Sequence, residues 1–292
     1  MVNIPVHAEI LTLPKLSDVI VTNESYQKTI RKSIRRTKTI SLPVLGITET
    51  LSYHTLNSGR AVTLSKYDTI DLWVQEIDLS KGGRISSELR LGGYDEITGE
   101  PLFEKRKISE VRNSLTNNPY SIFNGQFFDP KRINTPLSFG IKVDGVVRTS
   151  GADNRSESKN ILVIEKNIAK IIPYSWENLR DAPGYFAMVN LALGEGHYKN
   201  EPIGRTYVCL RNPSSQNESS ILLVFTASAM TEPELEREIL RWGCTRDSTS
   251  KLDSSGSTQL WFEGSTIYGY SHKGNPDYRN IPHSLIVYDV TI

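Results

Sequence analysis

Short strand-like runs, each closed by a turn signal, recur from about residue 50 to the end, and only a few helical stretches interrupt them. Thr50-Leu51-Ser52-Tyr53 and the alternating Ile70-Asp71-Leu72-Trp73-Val74-Gln75-Glu76-Ile77, with Ile70, Leu72 and Val74 opposite Asp71, Gln75 and the rest, open the series. Tyr120-Ser121-Ile122-Phe123 and Phe139-Gly140-Ile141-Lys142-Val143 follow, the latter meeting the Asp144-Gly145 hairpin signal. Ile161–Ile164 with Ile168–Ile172 reads as a further hairpin, and Arg205–Leu210 with Ile221–Phe225 as two strands flanking a Ser- and Asn-rich turn. Residues 258–270 and 284–291 complete the set. The helices do not alternate regularly with the strands, which predicts an α+β fold with a mixed, mostly antiparallel sheet core rather than an α/β layer.

Three segments have helical character. Residues 24–38 place Tyr26, Ile30 and Ile34 at four-residue spacing, with Lys28, Arg31, Lys32, Arg35, Arg36 and Lys38 on the other face. Such a basic face is most often solvated, and it could also dock another subunit or an anionic polymer. Residues 104–116 repeat Ile108, Val111 and Leu115 before Asn117-Asn118-Pro119. The third helix begins at Thr231, which can cap it while Glu234 returns the hydrogen bond; Leu235, Ile239 and Trp242 form its apolar face and Gly243 ends it. The domain expectation is a β-rich N-terminal region over 1–117 packed on a main domain over 118–292.

Composition excludes several classes. With 34 basic and 33 acidic residues the net charge is +1, so no global attraction to nucleic acid is expected. No apolar run is long enough to span a bilayer, and residues 1–20 carry no visible export signal, so a soluble chain of undetermined compartment is expected. Cys209, inside an apolar run, and Cys244, just past a helix, are expected as two buried free thiols, or as a disulfide where the compartment oxidises. No cofactor signature appears. Asp253, Asn124 and nearby hydroxyls are hard oxygen ligands able to hold calcium or magnesium, but without an Asp-rich loop no metal is assigned.

Chemistry concentrates at two bends. Leu252-Asp253-Ser254-Ser255-Gly256-Ser257-Thr258 gathers a carboxylate, four hydroxyls and a glycine between two strand-like stretches. Phe123-Asn124-Gly125-Gln126-Phe127-Phe128-Asp129-Pro130 repeats that grammar, so two polar bends held by strands could converge on one pocket. Each bend taken alone reads more simply as a hairpin turn, with Asp253 accepting the N–H groups of Ser255 and Gly256. Arg205 opens a strand and Arg279 precedes the last one; either guanidinium suits a phosphate or carboxylate, or a surface ion pair. Spacing alone does not choose among these roles.

The order of the segments is more telling. Asn124-Gly125-Gln126-Phe127-Phe128, Gly204-Arg205-Thr206-Tyr207-Val208, the Asp253–Thr258 bend and Arg279-Asn280-Ile281-Pro282-His283 together resemble the phosphodiester glycosidase family over about residues 118–290. That family's pattern runs approximately Asn-Gly-Gly-(Phe/Tyr)-Phe, Arg-Thr-Ala-(Val/Ile)-Gly, Asp-Gly-Gly-Gly-Ser and a late Arg. Gln126, Ser254 and Ser255 stand where the pattern has glycine, and Tyr207 is bulkier than its usual small residue.

The resemblance implies a hydrolase that cleaves the glycosidic bond of a sugar-1-phosphodiester. Arg205 would clamp phosphate, Asp253 would act as base or nucleophile, and Asn124 would position the sugar. Gly125, Phe128, Ser255, Gly256, Ser257, Thr258 and Arg279 would line the substrate pocket, with Asp129 the nearest second carboxylate. The serine replacements motivate the alternative of a non-catalytic phosphosugar-binding or polysaccharide-binding protein, acting in envelope or exopolysaccharide processing.

Overall fold

The computed structural model describes residues 34–42, 47–153, 156–276 and 278–290, with side chains from residue 53 onward. The described chain opens with a meander of β1 (Ile34–Leu42), β2 (Ile47–Ser58), β3 (Val62–Tyr67) and β4 (Leu72–Asp78). A 3-10 turn at Leu79–Lys81 leads to β5 (Gly83–Leu89), β6 (Leu91–Tyr94), β7 (Pro101–Glu104), helix α1 (Ile108–Ser114) and β8 (Ser121–Asn124). After β9 (Asn134–Thr135) come β10 (Ile141–Val143), β11 (Val146–Thr149), β12 (Lys159–Glu165), β13 (Ile168–Pro173), α2 (Trp176–Arg180) and β14 (Phe186–Ala192). Next are β15 (Ile203–Leu210), β16 (Glu218–Ser219), β17 (Ile221–Met230) and α3 (Glu232–Arg241). The chain finishes with β18 (Thr249–Lys251), a 3-10 turn at Ser255–Ser257, β19 (Gln259–Phe262), β20 (Ser265–Tyr268) and β21 (His283–Asp289).

Every strand pairing among the described residues is antiparallel. The larger sheet has 13 strands in the order β1-β2-β3-β4-β17-β15-β18-β14-β12-β13-β16, with β10 beside β14 and β11 beside β10. A five-stranded sheet, β20-β19-β8-β21-β5, packs against it, and β6-β7-β9 form a small third sheet. Between the two main sheets lies the largest apolar core, where Leu64, Ile77, Val208 and Val224 meet Phe123, Leu260, Leu285 and Val287. Helices cover the outer faces. On the larger sheet Leu235, Ile239 and Trp242 of the α3 region lie on Tyr207, Cys209 and Phe225, and Leu179 lies on Ile161 and Val189. On the smaller sheet Ile108 and Val111 lie on Ile122 and Ile286. The architecture is therefore four layers of α, β, β and α, dominated by strands.

Local signals explain most of these elements. The Asp144-Gly145 turn has both residues at positive φ (53° and 75°), the twist a two-residue hairpin needs. Thr231 Oγ1 accepts from Glu234 N while Glu234 Oε2 accepts from Thr231 N, closing the expected capping box. One expectation is corrected. Residues 24–33 of the basic helix lie outside the described ones, and from Ile34 onward the backbone is strand β1, paired with β2. The β-branched residues Ile34, Thr37, Thr39 and Ile40 favour that extended state once a partner strand supplies the ladder.

A second correction concerns polarity. Gln75 belongs to the polar side of an alternating strand, yet it is buried between the sheets. Its amide exchanges hydrogen bonds with Ser121 Oγ (2.7 and 2.8 Å), cross-linking β4 to β8. The division expected at residue 117 has β4 and β5 on one side and their ladder partners β17 and β21 on the other. Ser33–Ile292 form one compact unit.

The cysteines also differ from the free thiols expected. Cys209 on β15 and Cys244 beyond α3 lie on the same outer face of the large sheet and are joined by a disulfide, with Cα atoms 6.1 Å apart. The bond closes a loop with a sequence separation of 35 that contains β17 and α3. Chain entropy alone makes such a closure worth about 3–4 kcal/mol. Replacing both cysteines by alanine is expected to lower the free energy of unfolding by at least that amount, measured by urea denaturation, without changing the far-ultraviolet circular dichroism of the folded state.

Candidate functional site

The two polar bends do converge, and an amide joins them. Asn124 ends β8 in the smaller sheet and is buried. Its Nδ2 donates to Asp253 O (2.8 Å), while its Oδ1 accepts from Thr206 Oγ1 (2.6 Å) and Gln259 N (3.1 Å). Asp253 N donates back to Gly125 O (3.1 Å). One side chain thus ties β8, β15, the start of β19 and the Asp253 bend together. Gly125 has no alternative here, because a Cβ would stand 2.2 Å from His283 Nδ1.

The bend beyond Asp253 is tight. Ser254 is extended, Ser255 takes a left-handed φ of 61°, and the 3-10 turn closes with Thr258 N donating to Ser255 O (3.0 Å). Ser255 therefore keeps a backbone conformation that glycine adopts freely, at the position where the resembled pattern has glycine. Asp253 Oδ1 accepts from Ser254 N (2.9 Å), one residue earlier than the turn-capping role predicts. The hydroxyl groups of Ser255 and Thr258 are buried with no hydrogen-bond partner among the described residues. Gly204 sits directly behind, and a Cβ there would come within 2.6 Å of Ser255 O and of Gly269 Cα.

Arg279 borders the same bend. Gln259 Nε2 donates to Arg279 O (2.5 Å), and Arg279 Nη1 reaches Ser257 Oγ at 3.5 Å. Phe128 is half-buried, with the Lys105 ammonium 5.9 Å from its ring centroid. The Lys105 pKa is lowered first by burial; Arg279 pushes it further down and Asp129 opposes both. Lys105, Arg279 and Asp129 are thus near enough to share one electrostatic neighbourhood.

Arg205 is not part of this group, which corrects the expected phosphate clamp. Successive residues of a strand face opposite ways. Thr206 faces Asn124, so Arg205 points to the other side of the sheet with Tyr207 and Cys209. It is 0% exposed. Its Nε donates to Met230 O (2.6 Å), and its Nη2 donates to the carbonyls of Tyr198, Lys199 and Glu201 at 2.6, 3.2 and 3.0 Å. Glu232, the first residue of α3, lies 3.8 Å from Arg205 Nη1 and accepts from Lys251 Nζ (3.1 Å) and Gly194 N (2.9 Å). Burial lowers the Lys251 pKa and raises that of Tyr207 beside them. This buried Arg–Glu–Lys network is structural, and the widely spaced positions 205, 232 and 251 offered no signal for it.

His283 was also missed. It is 1% exposed and bridges the bend to β5: Nδ1 accepts from Gln126 N (3.0 Å), which leaves Nε2–H to donate to Ser87 Oγ (2.7 Å). Burial pushes its pKa down to about 3. Gln126 itself donates to Val189 O on β14, so the side chain at this glycine position is used to join the bend to the large sheet. Among the described residues, no three His, Cys, Asp or Glu side chains group as metal ligands, and no helix is long and apolar enough to cross a membrane.

Comparison with known proteins gives a fold-level result. The chain superposes on the zebrafish N-acetylglucosamine-1-phosphodiester alpha-N-acetylglucosaminidase catalytic domain, auto-inhibited by its pro-peptide, with TM-score 0.53 and 15% identity over 91% of this chain and 86% of that one. A hypothetical protein from Synechocystis gives TM-score 0.48 and 9% identity over 87% and 68% of the two chains. A protein described as exported, from Burkholderia pseudomallei, gives 0.45 and 12% over 78% and 74%. No protein-family model and no curated protein sequence matches the chain. The likeness to the zebrafish glycosidase catalytic domain is one of fold.

Two outcomes are expected from this geometry. Because the His283 pKa is depressed when folded, the unfolded chain binds an extra proton as pH falls. The His283 contribution to stability is full above about pH 6.5 and is lost toward about pH 3, by roughly 5 kcal/mol in all. Urea denaturation across that range should show the slope in the wild type and a reduced slope in His283→Gln. Ser255→Gly removes a left-handed non-glycine residue and a buried unpaired hydroxyl, so it should raise unfolding free energy by about 1 kcal/mol in the same assay.

Proposed function

We propose that this protein hydrolyses the glycosidic bond of sugar-1-phosphodiesters at the outer side of the Asp253–Thr258 bend. The observation that carries the reading is the Asn124 cross-link. It brings a carboxylate-bearing bend, a left-handed Ser255 and the neighbouring Arg279 together on a fold shared with a phosphodiester glycosidase catalytic domain.

The chemistry asks for little acid assistance, because phosphate leaves as an already stabilised anion. Two obstacles remain, positive charge developing at the anomeric carbon and the repulsion of any anionic nucleophile by the phosphate. Asp253 is the nucleophile, or the base that activates water. Arg279, with Lys105 behind it, supplies the opposite charge for the phosphate, the role that Arg205 is too deeply buried to take. Ser254 and Ser255 are half-buried at the bend, whereas Ser257 and Thr258 are fully buried, which takes those two out of the expected substrate contacts. Asn124 and His283 hold the bends and do not themselves react; Asp129 is the second carboxylate on the rim. The Cys209–Cys244 disulfide fits an oxidising compartment.

The withdrawal of Arg205 from the bend also favours a second reading, a phosphosugar-binding protein without turnover. Incubation with a panel of N-acetylhexosamine and hexose 1-phosphodiesters separates the two. The hydrolase reading expects free sugar and a phosphomonoester, with kcat/KM down about 100-fold or more in Asp253→Asn. Arg279→Ala should lose about 10- to 100-fold, mostly through KM, as expected for one charged hydrogen bond. Binding without release would support the second reading. Full turnover by Asp253→Asn would remove the carboxylate from the mechanism.

A further inference from the structure

The small third sheet presents apolar side chains to solvent. Ile97, in the turn between β6 and β7, is 94% exposed, and Ile133, just before β9, is 89% exposed. Tyr94 and Leu91 of β6 are 64% and 50% exposed. Single exposed aliphatics are ordinary on a protein surface, whereas a group of them in one small lobe marks a contact surface. Polar contacts hold the two isoleucines out. Asp95 Oδ1 accepts from Ile97 N and Thr98 N (both 3.1 Å), and its Oδ2 accepts from Arg132 Nη1 (3.0 Å). The Thr98 N–H, Arg132 and the Ile97 N–H, in that order, pull the Asp95 pKa down to about 2, so the turn keeps its carboxylate at physiological pH. Asn134 Nδ2 donates to Gly92 O (3.1 Å), and a Cβ on Gly92 would stand 2.7 Å from Asn134 Cγ. The segments that carry Ile97 and Ile133 are thus joined by an ion pair and an amide.

The chemistry of the lobe selects its partner. Both isoleucines sit on turns and are almost wholly bare, so neither belongs to a flat, packed patch. A protein–protein contact of ordinary size needs about 800 Å² per partner, closely fitted, with aromatic and arginine anchors at its centre. A fluid lipid layer closes around a bare aliphatic tip without any preformed pocket. Aliphatic tips beside a tyrosine match the layering of a membrane interface, where the amphipathic phenol ring sits at headgroup level. Lys131 and Arg132 directly precede Ile133, and such side chains lay their alkyl stems on apolar surface while the charged end reaches a phosphate. The acidic groups nearby are mostly engaged already. Asp95 takes Arg132, Glu104 takes Arg90 (3.1 Å), and Glu100 accepts from the Thr149 and Ser150 hydroxyls (3.1 and 2.9 Å). Lys131 and Glu96 are the charges beside the tips without an ion-pair partner among the described residues.

We propose that this lobe docks the protein on a phospholipid surface, with Ile97 and Ile133 inserted at the boundary between headgroups and acyl chains, Tyr94 among the headgroups and Lys131 on lipid phosphate. The attachment is peripheral and reversible, because two aliphatic side chains bury far less apolar area than a membrane-spanning helix. Glu96 opposes an anionic surface and keeps the attachment weak. The lobe adjoins the candidate site through Lys105, which donates to Pro130 O (2.8 Å) and lies over the Phe128 ring. Docking is independent of the hydrolase reading; under that reading it offers the site phosphodiesters carried on the lipid surface.

The test is co-sedimentation of the whole chain with vesicles of pure phosphatidylcholine and of an equal mixture with phosphatidylglycerol. The wild type should pellet with the mixed vesicles, and to a lesser degree with the pure ones. The double substitution Ile97→Ser with Ile133→Ser should lower the partition coefficient about tenfold or more. Its melting temperature should stay at the wild-type value, because neither side chain is buried. Ile97→Trp should strengthen binding to both kinds of vesicle. Glu96→Lys should strengthen binding to the mixed vesicles alone, a gain that fades as salt is added. A wild type that stays in the supernatant with both kinds of vesicle overturns the proposal, as does binding that the double substitution leaves intact. A lipid-free dimer in sedimentation velocity that the double substitution disperses overturns it too, because the surface then belongs to a second copy of the chain.

Discussion

The carboxamide of Asn124 is the constraint on which the rest of the site depends. It is buried at the end of a strand of the smaller sheet, and its two polar atoms reach a strand of the larger sheet and both ends of the Asp253 bend. An unsatisfied amide at that depth costs several kcal/mol, so the bends and the strand ends must stay where the amide finds them. The acceptor side binds a hydroxyl and a backbone N–H while the donor side binds a carbonyl. Asn is therefore specified, and an isosteric Asp or Leu fails one side or both. Gly125 and Gly204 serve the same closeness from opposite directions, by removing the atoms that would hold the layers apart.

Behind the site, the larger sheet carries charge where cores are normally apolar. Arg205, Glu232 and Lys251 lie under the first turn of α3 and the loop that precedes β15. Buried ion pairs of this kind add little net stability against a well-packed apolar alternative. Their value here is geometric, because the guanidinium fork can hold several carbonyls of an irregular loop at once. A strand whose alternate residues serve different layers thus links the two faces. Thr206 belongs to the bend and Arg205 to the loop.

Much of the fold was legible in the sequence. The hairpins at 144–145 and 161–172, the strand pair of β15 and β17 and the capped helix α3 follow from turn chemistry, β-branched runs and a local capping box, all encoded by residues close together. The convergence of the two polar bends was legible too, because both have strand–bend grammar and the order of segments resembles a known family. Gln75, Arg205 and the cysteine pair were not legible in their final roles. Each depends on which face of a strand meets which layer, and alternation gives two faces without saying what covers either. Residues 34–38 show the same limit, since an i, i+4 spacing of apolar residues is weaker than a partner strand that completes the ladder.

The sequence by itself determined the strand-dominated α+β class, the elements with local start and stop signals, and the two bends that hold the polar residues, because those depend on dihedral preferences and neighbours a few residues apart. Tertiary structure alone decided that the Asn124 carboxamide is taken up in bolting the two bends together. It also decided that Arg205 serves the loop behind the sheet and that His283 is a neutral bridge. Those outcomes are settled by contacts between residues tens to more than a hundred positions apart, and by burial, which decides whether a polar group meets water or must find its partner inside the protein.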